Sequence, residues 1–145
     1  MASASRSRNV AASQQEVWAL IADADHMPRW WPGVARVEGV SEDHFTQVFK
    51  TKKGRSVRLD FQVVESDPPW RRSWQQEISG TPFERVLNQS IVSIELKAAG
   101  AGTEVTLIQE QKLRGYSRTG GFMLRRATRG KLDEALDGLE RLFGP

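Results

Sequence analysis

Apolar positions along the chain change their spacing twice, from helical to alternating and back to helical. The run Ser13-Gln14-Gln15-Glu16 is a capping box, in which the serine and glutamate side chains satisfy each other's exposed backbone donors and so begin a helix. Apolar residues then recur at helical spacing up to Asp23. The segment 24 to 31 predicts a second short helical turn, which ends at Pro32-Gly33.

The middle of the chain, from Val34 to Leu113, has the two-residue period of β-strands. Glycine and proline between the alternating stretches predict turns that join antiparallel neighbours. The candidate strands are 34 to 41, 44 to 52, 55 to 66, 70 to 79, 84 to 97 and 103 to 113, after a first strand from Ser5 to Val10.

The last segment returns to the helical period and predicts one long amphipathic helix. Apolar residues from Leu124 to Phe143 form a stripe, and most charged residues lie off it. Such a helix must cover an apolar surface, and the face of the preceding sheet is the only large one available. The order of elements predicts an α+β fold: a curved, seven-stranded antiparallel sheet wrapped around a long C-terminal helix, with two short helices after the first strand.

Composition narrows the class of protein. The 145 residues are 39% hydrophobic and 27% charged, as in an ordinary globular domain, and without a linker or repeat we expect one domain over 1–145. Lack of cysteine excludes thiol catalysis, disulfides and cysteine-ligated metals, and we expect no cofactor and no metal. Without a long apolar run or an apolar signal core, we expect a cytoplasmic protein. The net charge of +3 argues only weakly for nucleic acid.

Four stretches near the N-terminus are shared with a known family: Val10-Ala11-Ala12-Ser13, Glu16-Val17-Trp18, Ile21-Ala22-Asp23 and 27 to 34. Together with the element order, they resemble the START/Bet v 1-like (SRPBCC) superfamily of helix-grip proteins, and within it the polyketide cyclase/dehydratase and lipid-transport group. Pro28, Trp30, Pro32 and Gly33 match that group's Pro-x-Trp-x-Pro-Gly turn. The resemblance implies a helix-grip fold with a ligand cavity between sheet and C-terminal helix. It carries over no catalytic residue, because members range from cyclases to lipid carriers.

Standard catalytic signatures are absent from the sequence, which contains no G-x-S-x-G, H-E-x-x-H, G-x-x-x-x-G-K or G-x-G-x-x-G. The two histidines, His26 and His44, lie far apart along the chain, and we expect a surface role for both. The motifs therefore leave the catalytic residues unassigned.

Polar residues on the predicted inward faces of the strands indicate a partly polar cavity. If Phe61 points inward, alternation gives the later strands a mixed apolar and polar inner face. An unpaired buried amide or hydroxyl costs about 1 to 3 kcal/mol, so a ligand or water is the natural partner. The open alternative is that these groups lie at the ends of the sheet or bond to one another. The predicted ligand-binding residues are Trp31, Phe61, Arg72, Trp74, Gln76, Asn88, Ser90, Gln109, Gln111 and Tyr116.

The five tryptophans differ in their expected roles. Trp18 and Trp30 are expected to pack, and Trp31 to border a cavity entrance. Trp70 and Trp74 share a predicted inward face, where they either pack in the core or stack on a planar ligand. The same alternation places Val86 inward, although a single bulge would reverse the rest of its strand.

Basic residues cluster around the start of the last helix: Arg114, Arg118, Arg125, Arg126, Arg129 and Lys131. A solvated helix face is the favoured interpretation. The alternatives are a carboxylated ligand, transient contact with an anionic membrane surface, or RNA, and RNA is the weakest because no basic strand interleaved with aromatics is present. DNA is not expected.

These observations favour binding or transport of a small hydrophobic ligand, such as a lipid, an isoprenoid or a polyketide-like molecule. The first alternative is a polyketide cyclase or dehydratase, in which Arg72, Gln76, Tyr116 or an inward carboxylate would move protons. A weaker alternative is a protein that contacts a macromolecule through the basic cluster. The sequence leaves the oligomeric state open.

Overall fold

The computed structural model of the protein describes residues 2–115 and 118–145. In these residues, seven strands and three α-helices follow one another in the predicted order. The strands are β1 (Ala2–Val10), β2 (Val34–Glu38), β3 (His44–Lys50), β4 (Ser56–Asp67), β5 (Arg71–Gln76), β6 (Leu87–Ala99) and β7 (Gly102–Leu113). The helices are α1 (Gln14–Ile21), α2 (Met27–Trp30) and α3 (Arg118–Phe143), with single 3₁₀ turns at Ala24–His26 and Pro82–Arg85.

All seven strands form one antiparallel sheet in the order β1-β7-β6-β5-β4-β3-β2. With the long C-terminal helix and the short helices after β1, this confirms the predicted α+β helix-grip fold. Helix α1 begins where the sequence predicts, because the Ser13 side chain accepts a hydrogen bond from the backbone of Glu16 at 3.2 Å.

Two predicted strand boundaries are wrong for a local reason. The sequence predicts strands that run to residue 79 and start again at residue 84. In the structure β5 ends at Gln76 and β6 begins at Leu87, so the segment 77 to 86 lies outside the sheet. Thr81 caps the 3₁₀ turn between them by accepting a hydrogen bond from the backbone N–H of Phe83 at 3.3 Å. The first strand begins earlier than expected, at Ala2, because it pairs with β7 from Gln111 onward.

Helix α3 packs on β1 and β7 and against α2, and its backbone stays farther from β3, β4 and β5. Leu132, Leu136 and Leu139 on its inner face are fully buried. The other edge of the contact is ionic, with Arg6 of β1 lying 3.3 Å from Asp133 of α3. Because the backbone of α3 lies close to β1 and β7 but not to β3, β4 and β5, only its side chains can reach toward the concave face of those three strands.

In the described part of the chain, no helix combines the length and apolar character needed to cross a membrane.

Candidate functional site

The strand register brings seven of the predicted site residues onto the concave face. Directly opposed residues of an antiparallel sheet share a face. Gln76 lies opposite Phe61, Trp74 opposite Val92, and Val92 opposite Gln109. Ser90 lies opposite Gln111 in the adjacent row. The residues that this register brings together are Phe61, Arg72, Trp74, Gln76, Ser90, Gln109 and Gln111.

A wall of aromatic rings lines this interior. Phe61 stacks on Phe45 with 5.2 Å between ring centroids, and Phe45 meets Trp74 edge-on at 6.0 Å. Trp74 in turn meets Trp31 edge-on at 5.7 Å. Trp31 is buried, so it belongs to the wall itself and not to an exposed rim. Sequence reasoning missed Phe45, although Phe45, Gln47 and Phe49 share the parity of inward positions in β3.

Among the described residues, three buried side-chain atoms on this face find no hydrogen-bond partner: Trp74 Nε1, Gln76 Nε2 and Gln109 Oε1. The Trp74 indole is completely buried, and its N–H can only donate. Gln109 donates from Nε2 to Ser90 Oγ at 3.3 Å, so reversing its amide would still leave one of its polar atoms unpaired. Unpaired buried groups each cost about 1 to 3 kcal/mol, so the interior is suited to a guest that carries hydrogen-bonding atoms.

Two predicted residues find partners inside the protein. Thr128 of α3 donates a hydrogen bond to Gln111 Oε1 at 3.1 Å, and Ser90 receives the bond from Gln109. For Ser90 and Gln111 these hydrogen bonds are the contacts that the alternative interpretation describes, in which the polar groups bond to one another. They border the interior but do not need a ligand.

Arg72 lies two residues before Trp74 in β5 and therefore on the same face, and its side chain is buried. Its guanidinium donates to Ser66 Oγ at 3.2 Å and borders a pocket of about 520 Å³ beside Ala22 and the loop 41 to 43. Burial lowers the pKa of Arg72, and the charge of Asp23 opposes that shift. Arginine nevertheless stays protonated, so Arg72 supplies a fixed positive charge.

Lys131 is the second cation of the interior. Its Nζ lies 5.5 Å from the centroid of the Trp31 ring and 5.8 Å from that of Phe49. Burial lowers the pKa of Lys131, and the more distant charge of Glu134 opposes this. The sequence interpretation grouped Lys131 with the solvated basic residues of α3, whereas the structure turns it toward the aromatic wall.

The inward orientation predicted for Asn88, Val86 and Trp70 is wrong. A register shift between Leu87 and Gln89 turns Asn88 to the outside, where its side chain is exposed. Asn88 instead borders an outer pocket of about 430 Å³ at the end of β5. Val86 precedes the shift and Trp70 precedes β5, and each is 55% exposed. Tyr116 lies outside the described residues.

The two histidines lie away from the concave face. His26 Nδ1 is 3.2 Å from the carbonyl oxygen of Leu20, and His44 Nε2 is 3.7 Å from a carboxylate oxygen of Glu77 at the sheet's outer surface. In the described ranges, the concave face of the strands carries no histidine or carboxylate. No group of acidic or histidine residues in those ranges is arranged to hold a metal ion.

The basic cluster at the start of α3 is largely open to solvent. Arg126 and Arg129 are exposed, and Arg114 donates to the carbonyl oxygen of Glu84 at 2.6 Å. Phe122 and Met123 beside them are also exposed. The side chain of Arg118 lies outside the described part.

Comparison with solved structures identifies the same fold in several proteins. A START superfamily protein from Mycobacterium smegmatis superimposes with a TM-score of 0.78 at 13% identity, over 97% of this chain and 96% of that one. The protein XoxI from Bacillus cereus gives a TM-score of 0.76 at 18% identity, over 99% and 96% of the two chains. The di-domain ARO/CYC BexL from the BE-7585A biosynthetic pathway gives a TM-score of 0.80 at 24% identity, over 97% of this chain and 46% of that one.

No curated protein matches the sequence. The model of one family, described as polyketide cyclase/dehydrase and lipid transport, matches residues 1–144. That match runs through the helices, the sheet and the aromatic wall alike. The chain therefore belongs to the polyketide cyclase/dehydrase and lipid-transport family.

Proposed function

We propose that this protein binds a small, largely apolar molecule of the lipid, isoprenoid or polyketide-like kind between the concave face of β3 to β5 and helix α3. The ligand lies along the rings of Phe61, Phe45, Trp74 and Trp31 and offers an oxygen acceptor to the Trp74 indole. The family supports a role in handling such molecules.

The observation that carries the proposal is the Trp74 N–H group. Trp74 is completely buried, and its Nε1 finds no partner in the described part of the chain. Since an indole nitrogen donates and never accepts, a guest must present a carbonyl, hydroxyl or similar oxygen there. Gln76 Nε2, in the next position on the same face of β5, would serve a second oxygen.

Binding has more support than catalysis. Acid–base chemistry needs a group that exchanges protons near neutral pH, and the described part of the concave face offers neither histidine nor carboxylate for it. Arg72 and Lys131 are cations suited to holding an oxygen or an anion in place. The cyclase alternative would therefore require the cavity to fold its substrate mainly by shape.

A matched pair of ligands tests the acceptor. 2-Acetylnaphthalene and 2-ethylnaphthalene have the same ring and nearly the same shape, but only the first carries a carbonyl oxygen. We expect the wild-type protein to bind the ketone more tightly, and Trp74→Phe to reduce that preference about three- to tenfold, the value of one hydrogen bond. Tryptophan fluorescence or calorimetric titration measures both affinities, and their ratio within one variant cancels the change in cavity shape.

Asn88→Ala is the control, because Asn88 is exposed and lies off the concave face. Its ketone preference should equal that of the wild type. Failure of both naphthalenes to bind, or an unchanged preference in Trp74→Phe, would count against this site.

A further inference from the structure

Lys131 lies on the face of α3 that is turned toward the sheet. Its neighbours one turn away in both directions are buried: Thr128 bonds to Gln111, and Ala135 is completely inaccessible. Its ammonium is held over the rings of Trp31 and Phe49, at 5.5 and 5.8 Å from their centroids. The ammonium group of Lys131 therefore lies at the Trp31 end of the aromatic wall.

Within the described ranges, Lys131 has no carboxylate at ion-pair distance, unlike several surface arginines. Arg6 pairs with Asp133, and Arg71 lies 2.8 Å from Glu95. Glu134 acts on Lys131 only from a distance, and its effect on the pKa is smaller than that of burial. The ammonium of Lys131 is thus partly removed from water, without a counter-ion among the described residues.

Attraction to the Trp31 and Phe49 rings compensates for only part of the hydration that the Lys131 ammonium loses. Attraction between a cation and a ring extends to about 6 Å, and both rings lie near that limit. An ammonium is also strongly hydrated, so removing its water is costly. An anionic group brought in by a guest would restore what the protein itself does not supply.

We propose that Lys131 binds the anionic group of the ligand, so that the molecules this protein takes up are amphipathic anions with an apolar body and one carboxylate or sulfonate-like head. This inference rests on the proposed function. The Trp31 ring touches both Lys131 and Trp74, so one guest lying along the wall reaches the indole donor with its body and Lys131 with its head.

Two fluorescent probes that differ by one charged group test the inference. 8-Anilinonaphthalene-1-sulfonate and N-phenyl-1-naphthylamine share the same aromatic skeleton, and only the first carries an anion. In Lys131→Met we expect about tenfold or greater loss of affinity for the sulfonate, because a charge-assisted bond is removed. Affinity for the neutral amine should stay within about twofold, and Lys131→Arg should retain most of the sulfonate binding.

Arg129→Met is the matched control, because Arg129 is an exposed cation on the same helix. It should leave both affinities unchanged. Lys131→Gln is a second neutral variant, and far-ultraviolet circular dichroism together with binding of the neutral probe shows that each variant is folded.

Each outcome decides between the two proposals. Equal loss of sulfonate binding in Arg129→Met and Lys131→Met would place the anion on the exposed helix face and overturn the inference. Undiminished sulfonate binding in both neutral variants, with normal binding of the amine, would overturn the inference and leave the proposed function standing. Failure of wild-type protein to bind either probe would contradict the proposed function and this inference with it.

Discussion

Lys131 is a residue whose role in binding opposes the stability of the fold. Burial lowers its pKa, so between the folded-state pKa and the higher unfolded-state pKa the unfolded chain binds more protons. Stability of the wild-type protein should therefore increase as pH rises through that interval. Lys131→Met keeps an unbranched side chain of similar length but removes the charge that burial disfavours.

We expect Lys131→Met to raise the free energy of unfolding near neutral pH by up to about 1 kcal/mol. The variant would then unfold at a higher urea concentration than the wild type. The difference from wild type should narrow as the pH rises above the folded-state pKa of the lysine. Urea unfolding followed by tryptophan fluorescence at several pH values measures this, with the exposed Lys97→Met as control. A variant less stable than wild type at every pH would show that the contacts with Trp31 and Phe49 outweigh burial.

Single residues of the candidate site were predictable where alternation is unbroken. The parity of β5 and β7 put Trp74, Gln76 and Gln109 on one face, and the register confirms that placement. The predicted orientation of Asn88 was wrong because a register shift between Leu87 and Gln89 changes which face of the sheet it lies on. No residue type in the sequence indicates that shift. The orientation of Lys131 had a signal, since it lies three residues after Thr128 and four before Ala135 in the stripe of α3, but its charge favoured a solvated interpretation.

At the scale of elements, the contact of α2 with α3 depends on Gly138. A Cβ atom built there would lie 2.5 Å from the carbonyl oxygen of Trp30 and 2.9 Å from its Cα. Both are backbone atoms, so the two helices would have to separate. Gly130 on the same helix has open space around its Cβ position and provides the matched control.

We expect Gly138→Ala to lower the free energy of unfolding by about 1 to 3 kcal/mol, as overpacking does, despite the better helix propensity of alanine. Gly130→Ala should raise it by up to about 1 kcal/mol, because there only the propensity changes. Urea unfolding of the two variants measures the difference. Equal stabilisation by both substitutions would mean that α2 yields without cost.

The elements themselves were largely readable from the chain. The period of the apolar positions, helical, then alternating, then helical, required a sheet covered by a final helix, and the structure has that order. The prediction for the segment 77 to 86 was wrong because its residues alternate as in a strand, whereas a 3₁₀ turn capped by Thr81 interrupts the sheet there. Which side of the sheet α3 covers most closely depends on long-range contacts such as Arg6 with Asp133, and no local pattern encodes those.

At the scale of the whole molecule, the two halves of α3 are held differently. The second half is fixed by buried leucines and by the close approach of Gly138 to α2. The first half carries the exposed side chains of Phe122 and Met123 and borders the interior through Thr128. Amides of the first half should therefore exchange with solvent through smaller openings of the structure.

Ligand binding should reduce this difference. We expect saturating 2-acetylnaphthalene to slow hydrogen exchange most in the first half of α3, because a guest on the aromatic wall supplies the contacts that this half lacks. Peptide-level exchange with mass spectrometry measures it. The internal comparison is a second pocket of about 530 Å³, which is lined by Trp31 together with Val34, Lys50 and Arg141. Protection confined to the turn 33 to 35 and the end of α3 would place the ligand in that pocket instead of the concave interior.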